Sequence, residues 1–293
     1  MATGSGNGPR TLLRLLGDLP GQLRTEVPLS SLTSFRIGGP AWAVFRPRGT
    51  AALVEAVARA RALGVPWRLL GGGSNVLFPD QGFPGLVILT SALASLSEAE
   101  GLLVAEAGVP LSYLANRGFT FLAGIPGTVG GAVAMNAGTR YGTIGDQVAW
   151  VEALLPDGRL TTLPPEACSF SYRDSRLRRL GLPILRVGLR PGRFPPLKEV
   201  LAERQAAQPL GLPSAGCVFR NPREAPAGWL IDRAGLKGTR VGDAVVSPHH
   251  ANFICNLGRA RATEVLALIE RIRHRVAKIF GVWLELELEV VTA

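Results

Sequence analysis

The period of the apolar positions changes along the chain, and each change predicts an element. In AWAVFRP (41–47), apolar and polar residues alternate between Gly-Gly-Pro and Pro, which predicts a strand. TAALVEAVARARALG (50–64) switches to helical spacing, with Thr50 placed to cap it and Gly64 to end it. PWRLLGGGSN reads as a strand running into a glycine loop, and GLVIL (85–89) and GLLVAEAG (101–108) as further strands. PLSYLANRG (110–118) predicts a short helix opened by proline, and GTVGGAVAMNAG (127–138) a helix of very small residues. VAWVEALLPDGRLTTL (148–163) is a hairpin with a Pro-Asp-Gly turn, and PILRVGLRP (183–191) a strand. Downstream come a helix at 227–235, a strand at 252–256, a long helix at 261–281, and VWLELELEVV, an alternating strand. Upstream, residues 1–10 read as a loose tail and 11–24 as a short amphipathic helix.

Strands and helices thus mix irregularly, which predicts an α+β fold rather than a doubly wound sheet. Prolines on both sides of one helix (192–216) mark a boundary, dividing the chain into 1–20, 21–195 (itself split near 80–90) and 196–293. Of 293 residues, 47% are hydrophobic and 18% charged, enough apolar material for a substantial core. The net charge of +10 fits a basic surface or an anionic small ligand. Nucleic acid is disfavoured, because the arginines are dispersed and no basic block is interleaved with aromatics. Cys168, Cys217 and Cys255 lie far apart without a CxxC or nearby histidines, so neither a disulfide scaffold nor a metal site is expected. The cysteine usage and the absence of a leader-like or membrane-spanning apolar run lead us to expect a cytoplasmic protein.

Two glycine clusters carry the candidate chemistry. In LLGGGSNVLF, Leu70, Gly71, Gly72, Gly73, Ser74 and Asn75 end a strand in a loop whose N–H groups can curl around an anion. A plain tight turn explains it equally well. In AGIPGTVGGAVAMNAG, the turn Gly124, Ile125, Pro126, Gly127 and Thr128 leads into a helix start with Gly130, Gly131 and Ala132. Close helix–sheet packing is the alternative to phosphate binding there. No Gly-Lys-Ser/Thr follows either cluster and no GxGxxG occurs, which argues against a P-loop and a Rossmann fingerprint.

TSFRIGGPA (33–41), GGGSN (71–75), GIPGTVGGAVAMNAG (124–138), SYRDSRL (171–177), PSAGCVFRNP (213–222), AGWLIDRAGLKG (227–238), HANFICN (250–256) and VWLELELEV (282–290) together resemble the UDP-N-acetylenolpyruvoylglucosamine reductase (MurB) family. The resemblance spans nearly everything after the N-terminal tail, and the spacing is similar to the shorter subtype lacking an inserted tyrosine-bearing loop. It implies an FAD-binding fold of the vanillyl-alcohol-oxidase/PCMH type in two subdomains, followed by an α+β substrate-binding domain. It implies FAD as cofactor, NADPH as hydride donor and a nucleotide-sugar as substrate, in peptidoglycan synthesis, cell shape and division; a monomer is the default expectation. Arg36, Ile37, Gly38, Asn136 and Gly138 join the two glycine clusters as implied FAD contacts.

The resemblance also assigns roles at the reacting centre. Hydride reaches the alkene carbon remote from the carboxylate, so donors must face the carboxylate and an acid must protonate the other carbon. Arg173 matches the family's catalytic arginine; a surface ion pair with Asp174 is the alternative. Glu287 matches the catalytic glutamate; the alternative is a solvated acidic edge, because Glu285, Glu287 and Glu289 alternate on one face. Cys217 stands where many members carry a proton-donating serine. A thiol, with a reference pKa of ~8.5, can donate in its place, and inert packing is the alternative. Tyr172, Arg204, Arg220 and Asn221 are implied substrate contacts. A different flavoenzyme of the same fold, or a non-catalytic nucleotide-sugar-binding protein, are the competing readings.

Overall fold

A computed structural model describes residues 8–209 and 211–292, so most of the expected tail lies outside the described residues. The chain forms two compact units, each assembled from separated segments. The first takes residues up to Glu26, Ala41–Gly72 and Pro84–Ala202; the second takes Val27–Pro40, Gly73–Phe83 and everything from Glu203.

In the first unit, a four-stranded sheet has the order Gly21–Pro28, Pro40–Pro47, Phe83–Leu89, Trp67–Leu70. Its last pair is parallel, with Trp67 opposite Leu86 and Leu70 opposite Leu89. The helix Thr50–Ala62 covers it with Ala52, Leu53, Ala56, Val57 and Ala60, the stripe that helical spacing predicts. These pack with Phe45, Leu86 and Ile88. The helix stops in a Schellman motif at Gly64: the Val65 amide donates to Ala60 O and the Gly64 amide to Arg61 O, at 2.9 and 3.1 Å. The helix expected at 11–24 is instead Gly8–Leu16, followed by the strand from Gly21. Pro20 lacks the N–H that a continuing helix needs, and GQLRTEVP then alternates as a strand.

A second, antiparallel sheet in this unit runs in the order Leu160–Leu163, Val148–Leu154, Ile184–Leu189, Leu102–Glu106, Leu96–Ala99. The single strand expected at 101–108 is therefore one arm of a hairpin. Glu100 and Gly101 form its two-residue loop, both with positive φ (53° and 74°), as a type I′ turn requires. The glycine-rich helix is only Val129–Ala134. It packs tightly on the strand's exit, because a Cβ on Gly130 would lie 2.8 Å from Ala107 Cβ.

The second unit has an antiparallel sheet ordered Ser214–Cys217, Phe253–Asn256, Ala244–Val246, Arg240–Val241. The helices Ala227–Arg233 and Ala262–Phe280 pack over it, around Phe219, Leu230, Ile231, Leu268 and Ile272. Asp80 caps the long helix from outside, its carboxylate accepting from the amides of Ala262 (2.7 Å) and Thr263 (3.1 Å). No helix among the described residues is long and apolar enough to cross a membrane.

Candidate active site

In the first unit, the end of the strand Trp67–Leu70 meets the turn before the small-residue helix. A Cβ on Gly71 would collide with Thr128 Oγ1, and one on Gly72 would come 2.7 Å from Gly127 Cα. The two glycine clusters therefore touch through their backbones, which only glycine permits. Beside this contact is a cavity of about 310 Å³ lined by Gly71, Gly72, Gly108, Val109, Pro110, Tyr113 and Thr128, among others. Thr128 is 7% exposed, and its hydroxyl has no hydrogen-bond partner. A buried hydroxyl left unpaired costs about 1–3 kcal/mol, so the site fits a ligand that supplies an acceptor.

The amides at the helix start serve the protein itself: Val129 donates to Val109 O (2.9 Å) and Gly130 to Ala107 O (2.8 Å). Gly130 thus follows the packing reading of its motif. The Thr128 side chain and the bare Gly71–Gly72 backbone are what this cradle turns toward the cavity. Gly124 and Gly127, both with positive φ (70° and 128°), shape the turn around Ile125 and Pro126. Ala132 is 5% exposed and belongs to the core, whereas Gly131 is exposed. Gly72→Ala should drive the two backbones apart. Overpacking of this kind costs ~1–3 kcal/mol, so retention of the flavin that the sequence resemblance implies should weaken about ten- to a hundredfold, as read from the flavin-to-protein absorbance of the purified variant.

The same unit carries Arg173. Ser171 and Asp174 exchange both backbone hydrogen bonds (3.0 and 3.2 Å), leaving Tyr172 and Arg173 as a two-residue loop. Arg173 has φ 54°, a left-handed conformation that costs a side-chain-bearing residue of order 1–3 kcal/mol. Its Nη2 donates to Gly138 O at 2.9 Å and its guanidinium lies 5.5 Å from the Tyr172 ring centre. Asp174 pairs with Arg178 (3.9 Å) and Arg179. Tyr172 is half-exposed.

Asn136, 6% exposed, also lies in the first unit, and the second unit holds the rest of the predicted set. Gly73 has φ 60°, and its carbonyl accepts from the Ser34 amide at 3.0 Å. The Ser34 hydroxyl donates to Ser214 O at 2.7 Å, joining the glycine loop to the strand of Cys217. Arg36, at φ 55°, is exposed between the buried Phe35 and Ile37, and a Cβ on Gly38 would come 2.9 Å from Phe78 Cβ. Ser74 and Asn75 follow, both half-buried.

Cys217 ends the strand Ser214–Cys217, opposite Phe253. A register shift between Ser214 and Cys217, with Gly216 at φ 78°, hides that strand from a periodicity reading. Its half-buried side chain packs with Val245, Phe253 and Cys255. The next residue receives the C-terminal segment: the amides of Glu287 (2.9 Å) and Leu288 (3.2 Å) both donate to Val218 O, and Arg220 N donates to Glu285 O (2.9 Å). Two residues facing one carbonyl make a bulge, and only Glu289–Val290 continues as regular strand, parallel to Val76–Leu77. The buried positions change parity between Leu288 and Val291, so the alternation in the sequence does not run on as one regular strand. Glu285 is exposed while Glu287 and Glu289 are half-buried. Asn75 Nδ2 donates to Glu287 O (3.0 Å), and Glu289 N to Asn75 O (3.1 Å). Cys217, Glu287 and Asn75 are thus brought together by adjoining backbones.

Among the implied substrate contacts in this unit, Asn221 Oδ1 accepts from Ala227 N (3.0 Å), holding the start of a helix. Arg204 Nη2 donates to Gln208 Oε1 (2.9 Å), and Arg220 is half-buried. A residue given no role from sequence also matters. Asn252, 2% exposed, accepts from Phe219 N (2.9 Å) and donates to Phe219 O (2.8 Å), clamping the chain two residues after Cys217. Its only sequence signal is its place in HANFICN.

The three thiols differ sharply. Burial pushes Cys168 and Cys255 up to about 11, and both are fully inaccessible. Iodoacetamide at about pH 8 should therefore alkylate Cys217 in the folded protein and the other two only after unfolding, as peptide mass spectrometry will read.

These features define an FAD-binding oxidoreductase fold. A profile described as FAD binding domain matches residues 41–164, and one described as UDP-N-acetylenolpyruvoylglucosamine reductase, C-terminal domain, matches residues 208–291. The chain is 44% identical to the UDP-N-acetylenolpyruvoylglucosamine reductase of Syntrophobacter fumaroxidans, over 95% of this chain and 86% of that one. It is 43% identical to that of Moorella thermoacetica, over 95% and 98%. The crystal structure of the Thermus caldophilus enzyme (MurB) superposes with a TM-score of 0.77 at 39% identity, covering 94% of this chain and all of that one. Physcomitrella patens BBE-like 1 shares the fold, with a TM-score of 0.51 at 16% identity over 90% of this chain and 60% of that one. The chain belongs to the UDP-N-acetylenolpyruvoylglucosamine reductase family.

Proposed function

We propose that this chain reduces the enolpyruvyl group of UDP-N-acetylenolpyruvoylglucosamine to give UDP-N-acetylmuramate, with NADPH as the electron source. The observation that carries the reading is the pairing of the Cys217 strand with the segment of Glu287, through Glu287 N to Val218 O at 2.9 Å, in a chain 44% identical to such a reductase. Bound FAD would accept hydride from NADPH and deliver it to the alkene. In the first unit, Gly71, Gly72 and Thr128 would hold its phosphate-bearing part, the Thr128 hydroxyl donating to an oxygen. In the second, Gly73, Ser74, Asn75 and the Arg36–Gly38 segment would complete the cofactor set.

Each reacting side chain then has one task. Arg173 binds the substrate carboxylate and stabilises the negative charge that grows there as hydride arrives. Glu287 orients that carboxylate. Cys217 gives its thiol proton to the alkene carbon bearing the carboxylate, and the thiolate regains a proton from water. Tyr172, Arg204, Arg220 and Asn221 bind the rest of the nucleotide-sugar. The finer assignments belong to the same proposal: an FAD-binding part at 21–195, a substrate-binding part at 196–293, the shorter subtype, a monomer, and a cytoplasmic place in cell-wall biogenesis that serves cell shape and division.

The test is product formation. NADPH oxidation should depend on the UDP-sugar, and mass spectrometry should find the product heavier by two hydrogens. NADPH oxidation indifferent to the UDP-sugar would refute the reading.

A further inference from the structure

We propose that Asn136 is a positioning residue for Arg173: its side-chain amide ties down the turn that presents the guanidinium. The proposal rests on the reading of Arg173 as the carboxylate-binding group, and it gives Asn136 a different task from the flavin contact implied by its motif.

Three hydrogen bonds run from the Ser171–Ser175 turn to alternate residues of one segment. Ser175 Oγ donates to Ala134 O (2.7 Å), Asn136 Nδ2 donates to Ser171 O (2.9 Å), and Arg173 Nη2 donates to Gly138 O (2.9 Å). Only the Asn136 bond reaches the residue that opens the two-residue loop. That loop holds Arg173 at φ 54°, a conformation that persists only when its surroundings impose it. The other end of the amide is also engaged, Oδ1 accepting from Gly145 N (3.0 Å). Gly145 leaves room for this contact, since a Cβ there would lie 2.6 Å from Oδ1. The Asn136 side chain is thus directed at this chain's own backbone at both ends, and the residue is 6% exposed.

The backbone of Asn136 sharpens the point. Its φ is 46°, in the region where glycine is the default residue. Asparagine tolerates that region, but glycine would adopt it with less strain. What asparagine adds is the amide, and the amide holds the arginine turn.

The same backbone supplies the test. Asn136→Gly removes the amide while keeping a residue suited to φ 46°. Flavin content and flavin reduction by NADPH should stay near wild type. Reoxidation of the reduced flavin by UDP-N-acetylenolpyruvoylglucosamine should slow by about tenfold or more, and the double variant with Arg173→Ala should be no slower than Arg173→Ala alone. Hydrogen exchange in the peptide spanning 169–176 should quicken, a readout independent of turnover. Asn136→Asp, which keeps an acceptor for Gly145 N but loses the donor to Ser171 O, should behave alike and serves if the glycine variant does not fold. Wild-type reoxidation in the Asn136 variants beside a slowed Arg173→Ala would overturn the proposal and leave Arg173's role intact. Lost flavin, or an equal fall in both half-reactions, would overturn it in favour of a cofactor or general structural role. An unslowed Arg173→Ala would instead remove the reading on which it rests.

Discussion

Cys217→Ala should leave the protein yellow and readily reduced by NADPH, yet slow its reoxidation by the UDP-sugar by ~10²–10⁴-fold, the usual contribution of a positioned acid. The selectivity follows from the chemistry: flavin reduction needs no proton at the alkene, and alkene saturation does. Nothing large should happen to the fold. Cys217 is half-buried at the end of a strand, and the pairing of its neighbours runs through backbone atoms, Val218 N to Asn252 O (2.8 Å) and Glu287 N to Val218 O (2.9 Å). Alanine preserves both. Cys217→Ser restores a donor of similar reach and should keep much of the activity, whereas a purely packing role predicts that alanine and serine behave alike. Stopped-flow measurement of the two half-reactions separates these outcomes, and an undiminished alanine variant would end the acid assignment.

Arg173→Ala should produce the second large effect, ~10²–10³-fold on the same half-reaction, the typical loss when one donor facing developing charge is removed. Arg173→Lys should recover little of it. A guanidinium can grip a planar carboxylate with two parallel N–H groups and an ammonium cannot. In addition, Arg173 already commits one nitrogen to Gly138 O, so the fork is aimed by the protein before substrate arrives. A surface ion pair with Asp174 as its sole role would predict unchanged rates. Single-turnover rates at saturating UDP-sugar, beside its dissociation constant, distinguish lost charge stabilisation from lost affinity.

The regular elements were legible in the sequence where periodicity and punctuation agree. The helix at Thr50–Ala62, the hairpin around Pro156-Asp157-Gly158 and the long helix ending at Gly281 came from local rules that the structure obeys. What escaped was non-local. The strand Ser214–Cys217 is made by a partner far along the chain and broken by a register shift, so its small residues look like a loop. The terminal glutamates alternate perfectly in sequence, but a bulge against Val218 interrupts the strand that carries them. The glycine motifs drew attention to themselves, yet could not say which residues serve a ligand. Gly130 is spent on packing against Ala107, while the unpaired hydroxyl of Thr128 points to a ligand. The Asn252 clamp has no local signature, because its meaning lies entirely in Phe219, far away in sequence.

An anaerobic titration tests the central claim most directly. NADPH should bleach the flavin absorbance, and UDP-N-acetylenolpyruvoylglucosamine added without oxygen should restore it in stoichiometric amount. A flavin that stays bleached in the presence of the UDP-sugar and recovers only when oxygen is admitted would mark an oxidase of the same fold and contradict the account.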